Sequence, residues 1–394
     1  MDDFSPPSIV PRPVQVLKGR GVSSAVAHRF SKDQREWADD GWVGTEGLDA
    51  DPARPATEVI SETARSALSR NDSPDIAFDQ AINPYRGCEH GCSYCYARPT
   101  HSYLGYSPGL DFETRIVAKH NLPELLAQAL SRPTYQPRMT NLGSATDCYQ
   151  PVERELRLTR RVIEVLQRHQ HPFSLITKAS LVERDLDLLG PMARQGLVAV
   201  YVTITTLDAE LARRLEPRAA SPQRRLRTIR TLAEAGVPVG VSVAPQIPFL
   251  NEDMEQVLTA AAEAGARSAF YTVLRLPWEL REVFTEWLQQ HYPDRAARVL
   301  ARLRDYRGGQ DSAGDFSTRM KGQGLWGDLL SQRFARACTR LGLNRDRVEL
   351  DLSRFMRDPE QALRQPGLFD DEPRQEPRRV AGTVLDVCAE RPRY

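Results

Sequence analysis

Three of the chain's six cysteines fall within eight residues, in the segment RGCEHGCSYCYARP, as Cys88-x3-Cys92-x2-Cys95. Thiolates packed this closely point to a metal or iron–sulfur site. Three thiolates serve three corners of a four-iron cluster and leave one iron open to an outside ligand. Structural zinc wants four ligands, and His90, inside the motif, is poorly spaced to complete the same tetrahedron. Gly87 and Gly91 let the backbone wrap closely around a ligand. The bland alternatives are structural zinc or three ordinary buried thiols. Further along, Lys178 ends the β-rich run FSLITK, where an unpaired lysine is costly to bury. Asp147, in the loop GSATDCYQPVE, either caps a turn or hydrogen-bonds a ligand. Arg275, in YTVLRLP, meets either an anionic ligand or a loop carboxylate. Glu153 and Glu155 open a helix and complement its dipole. Cys338 reads as a core residue on an amphipathic helix, and Cys388 as a bystander in a polar tail.

These residues need a frame. Short β-rich runs at 81–86, 139–145, 173–178, 197–205, 237–245 and 267–276 alternate with amphipathic helices at 122–131, 152–169, 221–236 and 251–265. Gly236 and Gly265 stop the last two helices. Alternation of apolar strands with helices implies a parallel sheet with helical crossovers. About six such βα units predict an α/β fold, a partial (β/α)6 barrel of TIM type. Its active site belongs at the C-terminal ends of the strands. The expected organisation is a largely irregular, flexible segment over 1–75, with a short helix near 31–40. The barrel follows over 76–280, a helical extension over 281–345 and a mostly disordered tail over 346–394.

Composition narrows the classes. Of 394 residues, 41% are hydrophobic and 27% charged, a globular balance. Lys plus Arg is 53 against 52 for Asp plus Glu, so a globally basic nucleic-acid coat is excluded. Arginine-rich helix faces near 224–230 and 295–307 read as solvated surfaces. No apolar run approaches the roughly 18 residues of a membrane span. The acidic, proline-rich start MDDFSPPSIVPRP lacks a secretory pattern, so a cytoplasmic location is expected. There is no Gly-x-Gly-x-x-Gly after a strand and no phosphate-binding P-loop motif.

At the cysteine triplet the sequence resembles the radical S-adenosylmethionine (SAM) superfamily, whose signature has this spacing and an aromatic residue at the Tyr94 position. The resemblance spans about residues 80–280 and implies a [4Fe-4S] cluster on Cys88, Cys92 and Cys95. SAM would bind the open iron and be cleaved to methionine and a 5′-deoxyadenosyl radical, which abstracts hydrogen from a substrate. Within the superfamily the chain resembles the spore photoproduct lyase-like branch. Tyr94 and Tyr96 match tyrosines implicated there in radical relay, and packing around the cluster is the equal alternative. Lys178 matches a lysine that contacts the SAM carboxylate. TITTLDAELARRLEPR resembles the fourth strand and its loop, which places Thr203, Thr205, Glu216 and Arg218 near SAM. Ser144 and Thr146 are further cofactor-binding candidates, and Val243 and Ile247 are apolar candidates for the adenosine. The branch carries a hydrogen-donor cysteine after its second strand. Here the matching position is Ala145, with Cys148 three residues on as the catalytic candidate.

The tail peptide Gln365–Phe369 reads Q-x-x-L-F, which resembles a sliding-clamp docking motif. With the lyase resemblance it raises a DNA-repair role with a DNA substrate. The resemblance also implies a flavodoxin- or ferredoxin-type reductant, and no membrane partner is expected. The competing readings are radical modification of RNA or a protein residue, and a non-catalytic iron–sulfur or zinc adaptor bound to the clamp.

Overall fold

The computed structural model describes residues 17–31, 55–310, 316, 318–346, 348–359 and 381–383. The expected helix near 31–40, the Gln365–Phe369 peptide and Cys388 lie outside the described residues, apart from Ser31. Six strands form one parallel sheet in sequential order: β1 Gln80–Ile82, β2 Thr140–Leu142, β3 Phe173–Thr177, β4 Val198–Thr203, β5 Val239–Gln246 and β6 Ser268–Val273. Ser69–Arg70 adds a short antiparallel edge on β1. Crossovers carry α1 Leu122–Leu130, α2 Leu158–Arg168, α3 Leu186–Arg194, α4 Pro222–Glu234 and α5 Met254–Glu263. α6 Leu280–His291 follows β6. This is the expected partial (β/α)6 barrel. All six residues of β4 are buried, as in a sheet covered on both faces.

Local chemistry explains the elements. Val162, Ile163, Val165 and Leu166 recur at helical spacing and bury one face of α2 in the core. Ser221 caps α4, its Oγ accepting from the Arg224 N–H at 3.3 Å, and Pro222 starts the helix. Gly236 (φ +77°) and Gly265 (φ +104°) end α4 and α5 in left-handed backbone.

Two expectations change. The helix over 152–169 is broken at Arg157 (φ 51°) into Glu153–Leu156 and α2. The fully buried Glu153 carboxylate caps α2 by accepting the Thr159 N–H at 3.0 Å, and it pairs with Arg184 at 2.7 Å. The N-terminal segment also has more order than its composition suggests. Glu58–Glu62 pairs in parallel with Arg115–Lys119. Residues 17–31 form no helix or strand yet are pinned: the Leu110 N–H donates to the Ser24 carbonyl at 3.0 Å, Ser107 Oγ to the Val26 carbonyl at 2.8 Å, and Arg29 to Glu279 at 2.8 Å.

The C-terminal extension contains α7 Pro293–Asp305 and α8 Gly324–Leu341, and α8 packs against α5 with Arg333 paired to Glu255 at 2.7 Å. Between them, residues 318–320 return to the barrel mouth, where the Val273 N–H donates to the Met320 carbonyl at 2.8 Å. In the expected tail, Glu349–Asp351 pairs with Ala381–Thr383. Among the described residues no helix is long and apolar enough to cross a membrane.

Candidate active site

The cysteine loop leaves the short strand Tyr85–Arg86 and runs into a 3-10 turn at Arg98–Leu104. Gly87 (φ +78°) and Gly91 (φ +68°) adopt backbone that side chains disfavour. A Cβ on Gly91 would stand 2.7 Å from Glu113 Oε2, and one on Gly21 would overlap the Gly91 carbonyl oxygen. The loop is thus clamped from both sides. Arg98, fully buried, donates from Nε to the Cys92 carbonyl at 2.8 Å and from Nη1 to the Gly109 carbonyl at 2.9 Å, and pairs with Glu113. Glu113 Oε2 in turn accepts the Gly21 N–H at 2.9 Å.

The thiols of Cys88 and Cys92 are buried, and desolvation pushes Cys92 up to about 12 while Lys178 pulls it back. A bound cation reverses that penalty by holding thiolates. His90 is engaged elsewhere: its Nδ1 lies 3.2 Å from Asp147 Oδ2, both groups nearly fully buried. Among the described residues no three His, Cys, Asp or Glu side chains converge on one ion position. With His90 held by Asp147, three thiols in a glycine cradle remain, a donor set that fits a cluster with one open iron better than a four-ligand structural zinc.

Beside the loop, at the C-terminal ends of the barrel strands, lies a cavity of about 390 Å³. That volume falls within the range of small-molecule sites, about 300–1,000 Å³. Its wall brings together Cys92, Tyr94, Cys95, Tyr96, Ser144, Lys178, Thr203 and Arg275 from the sequence expectations. It adds Asn141, Ser242 and Thr272, with Ile76, Phe78, Ile176, Phe270 and Met320 as apolar surface. Desolvation lowers Lys178, but Cys92, Glu216 and Asp147 outweigh it and hold the ammonium charged. Desolvation raises Asp147, yet His90 and the Lys178 N–H, donating at 2.7 Å, bring its carboxyl well below the usual range. Asp147 also accepts the Tyr149 N–H at 2.9 Å, so it caps the turn and organises the site together. Asn141 donates to Ser174 Oγ at 3.0 Å, while its buried Oδ1 has no partner among the described residues. An unsatisfied buried acceptor on a cavity wall fits a ligand that brings a donor, such as an ammonium or a hydroxyl.

Other expected site residues stand off the cavity. Val243 is fully buried on the opposite face of β5, because side chains alternate and Ser242 and Ala244 take the cavity side. Ile247 is buried and borders a separate cavity of about 170 Å³ under α7 and α8. Cys148 lies in the main core, fully buried, and desolvation pushes its thiol up. Thr146 turns its hydroxyl to the Tyr85 carbonyl at 3.1 Å. Arg218 pairs with Glu89 at 2.9 Å. Thr205 and Glu216 form a buried network under the wall: Glu216 accepts from Tyr94, Thr205 and Arg225, and Arg225 outweighs desolvation to keep its carboxyl low. Tyr94 is therefore anchored by a carboxylate. Tyr96 is half exposed and donates to the Ser144 carbonyl. Asn141 carried a sequence signal, a lone amide in an otherwise buried strand. Ser242 carried only its strand parity.

A family model for the radical SAM superfamily matches residues 82–261. The chain is 37% identical over 244 residues to the uncharacterized protein Rv2578c of Mycobacterium tuberculosis, covering 61% of this chain and 71% of that protein. It is 28% identical over 237 residues to the uncharacterized protein MJ0683 of Methanocaldococcus jannaschii, covering 60% and 85%. A solved spore photoproduct lyase complexed with dinucleoside spore photoproduct superposes with a TM-score of 0.46 at 19% identity, over 72% of this chain and 78% of that one.

Proposed function

Because the chain belongs to the radical SAM superfamily, whose members are enzymes using a [4Fe-4S] cluster and SAM, we propose that its barrel-mouth cavity generates a radical on SAM and directs it at a nucleic-acid base. The observation that carries the reading is the shared wall. Two cysteines of the triplet, a buried charged lysine and an orphaned amide oxygen face one apolar cavity wide enough for a small molecule. Cys88, Cys92 and Cys95 would hold a [4Fe-4S] cluster, which when bound would supply the electron for reductive cleavage of SAM. The protein's own residues do the rest. Lys178 holds the SAM carboxylate, Asn141 Oδ1 accepts from its amino group or ribose, and Thr203 and Ser144 offer hydroxyls to the same ligand. Phe270, Phe78 and Ile176 exclude water from the radical's path.

The nucleic-acid substrate rests on the lyase-like sequence features at Tyr94, Tyr96 and the segment 203–218. DNA repair is the process these features suggest, with a flavodoxin- or ferredoxin-type reductant and a clamp contact through Gln365–Phe369. The test is anaerobic reconstitution with iron and sulfide, reduction with dithionite, and assay for 5′-deoxyadenosine with and without ultraviolet-irradiated DNA. Expected are about four irons per chain, by cluster stoichiometry, and nucleoside product stimulated by the damaged DNA and lost in Cys92→Ala. Product that Cys92→Ala retains would refute the cluster assignment. Product that no nucleic acid stimulates would refute the substrate class. Failure of a tail peptide to bind purified clamp would remove that partner.

A further inference from the structure

The cavity wall built by β6 and residues 319–320 carries an imbalance of charge. Arg275 lines the cavity and is mostly buried, yet among the described residues no carboxylate lies within ion-pair distance of it. Its hydrogen-bond partner is the Met320 thioether, at 3.9 Å. Behind it, buried Arg307 gives its guanidinium to the carbonyls of Leu274 at 2.6 Å and Arg319 at 3.2 Å. Arg319, also on the wall, pairs with Asp75 at 2.6 Å. Among the described residues, three guanidinium groups thus share one carboxylate. Burial, then the neighbouring cation, pushes both Arg275 and Arg307 down, Arg307 to about 10. Both remain charged at neutral pH. Lys178, by contrast, already has the buried carboxylates of Glu216 and Asp147 to balance it.

A surplus of desolvated positive charge is costly unless something compensates it. Arg275 is open on the cavity side, where a bound anion can compensate it. The same wall presents Phe270, Phe78 and Ile76, which suit a flat apolar body attached to the anion. A guanidinium fork matches a tetrahedral oxyanion better than a point charge would.

We propose that Arg275 recognises the phosphodiester of a nucleotide whose base packs in the apolar part of the cavity. The choice of phosphodiester rests on the nucleic-acid reading above; the anion subsite itself rests on the charge imbalance. Arg319 is the second cation of the subsite, held in reserve by Asp75. This differs from the other fate open to Arg275, the SAM carboxylate, and the experiment separates the two.

The reconstituted full-length protein is saturated with SAM, and binding of inorganic phosphate is followed by phosphorus NMR line-broadening. Binding of thymidylyl-thymidine and of its neutral methylphosphonate analogue is followed by calorimetry. Phosphate and dinucleotide are each expected to bind roughly tenfold or more weakly to Arg275→Gln, since a charge-assisted hydrogen bond is lost. The methylphosphonate should lose affinity in the wild type but not in Arg275→Gln. Asp75→Asn frees Arg319 and should tighten phosphate severalfold, an effect of opposite sign that misfolding cannot produce. Unchanged phosphate binding in Arg275→Gln overturns the subsite. A matching drop in SAM affinity assigns Arg275 to SAM and overturns it too. Phosphate binding that depends on Arg275, without any dinucleotide binding, keeps the subsite and overturns the nucleic-acid reading.

Discussion

Glu113→Gln tests how the cysteine loop is held. The Arg98–Glu113 pair is fully buried on both sides, so its charges cannot fall back on water. Removing one partner of such a pair typically costs about 3–5 kcal/mol, because the other charge stays buried. Glutamine keeps one acceptor for the Gly21 N–H but turns donors toward Arg98, so the loss should reach the middle of that range. Arg98→Met should cost more. It strands the Glu113 charge and also unpairs the carbonyls of Cys92, Pro108 and Gly109, which Arg98 now satisfies. Each unsatisfied buried acceptor adds about 1–3 kcal/mol. For the same reason Arg98→Met with Glu113→Leu should recover only part of the loss. The assay is urea unfolding of the iron-free protein followed by circular dichroism, with iron per chain measured after reconstitution. A loss below about 1 kcal/mol in Glu113→Gln, with wild-type iron content, would refute the clamp.

Gly21→Val should detach residues 17–31 from the cysteine loop, since its Cβ meets the Gly91 carbonyl. Faster protease cleavage near residue 21 and faster air-bleaching of the reconstituted protein would report it, and unchanged rates of both would sink it. His171 is fully buried, and burial lowers its pKa from 6.5 to about 4. The folded chain therefore binds fewer protons than the unfolded one, and stability present above pH 6.5 is lost as pH falls toward 4. His171→Gln should flatten the slope of unfolding free energy by about 1.4 kcal/mol per pH unit in that window; an unchanged slope contradicts the burial argument. Ser242→Val should weaken SAM or substrate binding by filling the cavity wall, whereas Val243→Ala should lower the thermal midpoint and leave ligand affinity near wild type. The reverse pattern would mean the parity of β5 is misassigned. Cys148→Ala should leave the substrate-derived products unchanged, because its thiol lies in the core and cannot return hydrogen to a substrate radical; a shift in those products with 5′-deoxyadenosine and the fold intact would restore Cys148 to the site as the donor.

What was legible in the sequence was local. The cysteine spacing, the Lys178 strand end and the Gly236 and Gly265 stops each depend on residues within a turn or two, and the structure keeps them where the sequence put them. The alternation of strands and helices likewise needs only periodicity. What failed to be legible needed three dimensions. Val243 and Ser242 are adjacent, and choosing between them requires knowing which face of β5 meets the cavity. Apolar chemistry favoured the valine, and the sheet turned it toward the core. The helix break at Arg157 depends on the Glu153 carboxylate folding onto the Thr159 N–H, where a side chain overrides a continuous amphipathic pattern.

The N-terminal segment shows the same limit most sharply. Residues 17–31 are poor in hydrophobic periodicity, and composition alone reads them as flexible. Their order comes from partners far along the chain: Gly21 on Glu113, Ser24 on Glu286, Arg29 on Glu279. None of these pairs leaves a mark in a local window. They connect the cysteine loop to α6, which follows the loop that carries Arg275 after β6. A segment without regular structure therefore ties the loop that would hold the cluster to the part of the barrel that leads into the charged cavity wall. Chemistry at one end and recognition at the other are fixed relative to each other through residues whose sequence announces neither.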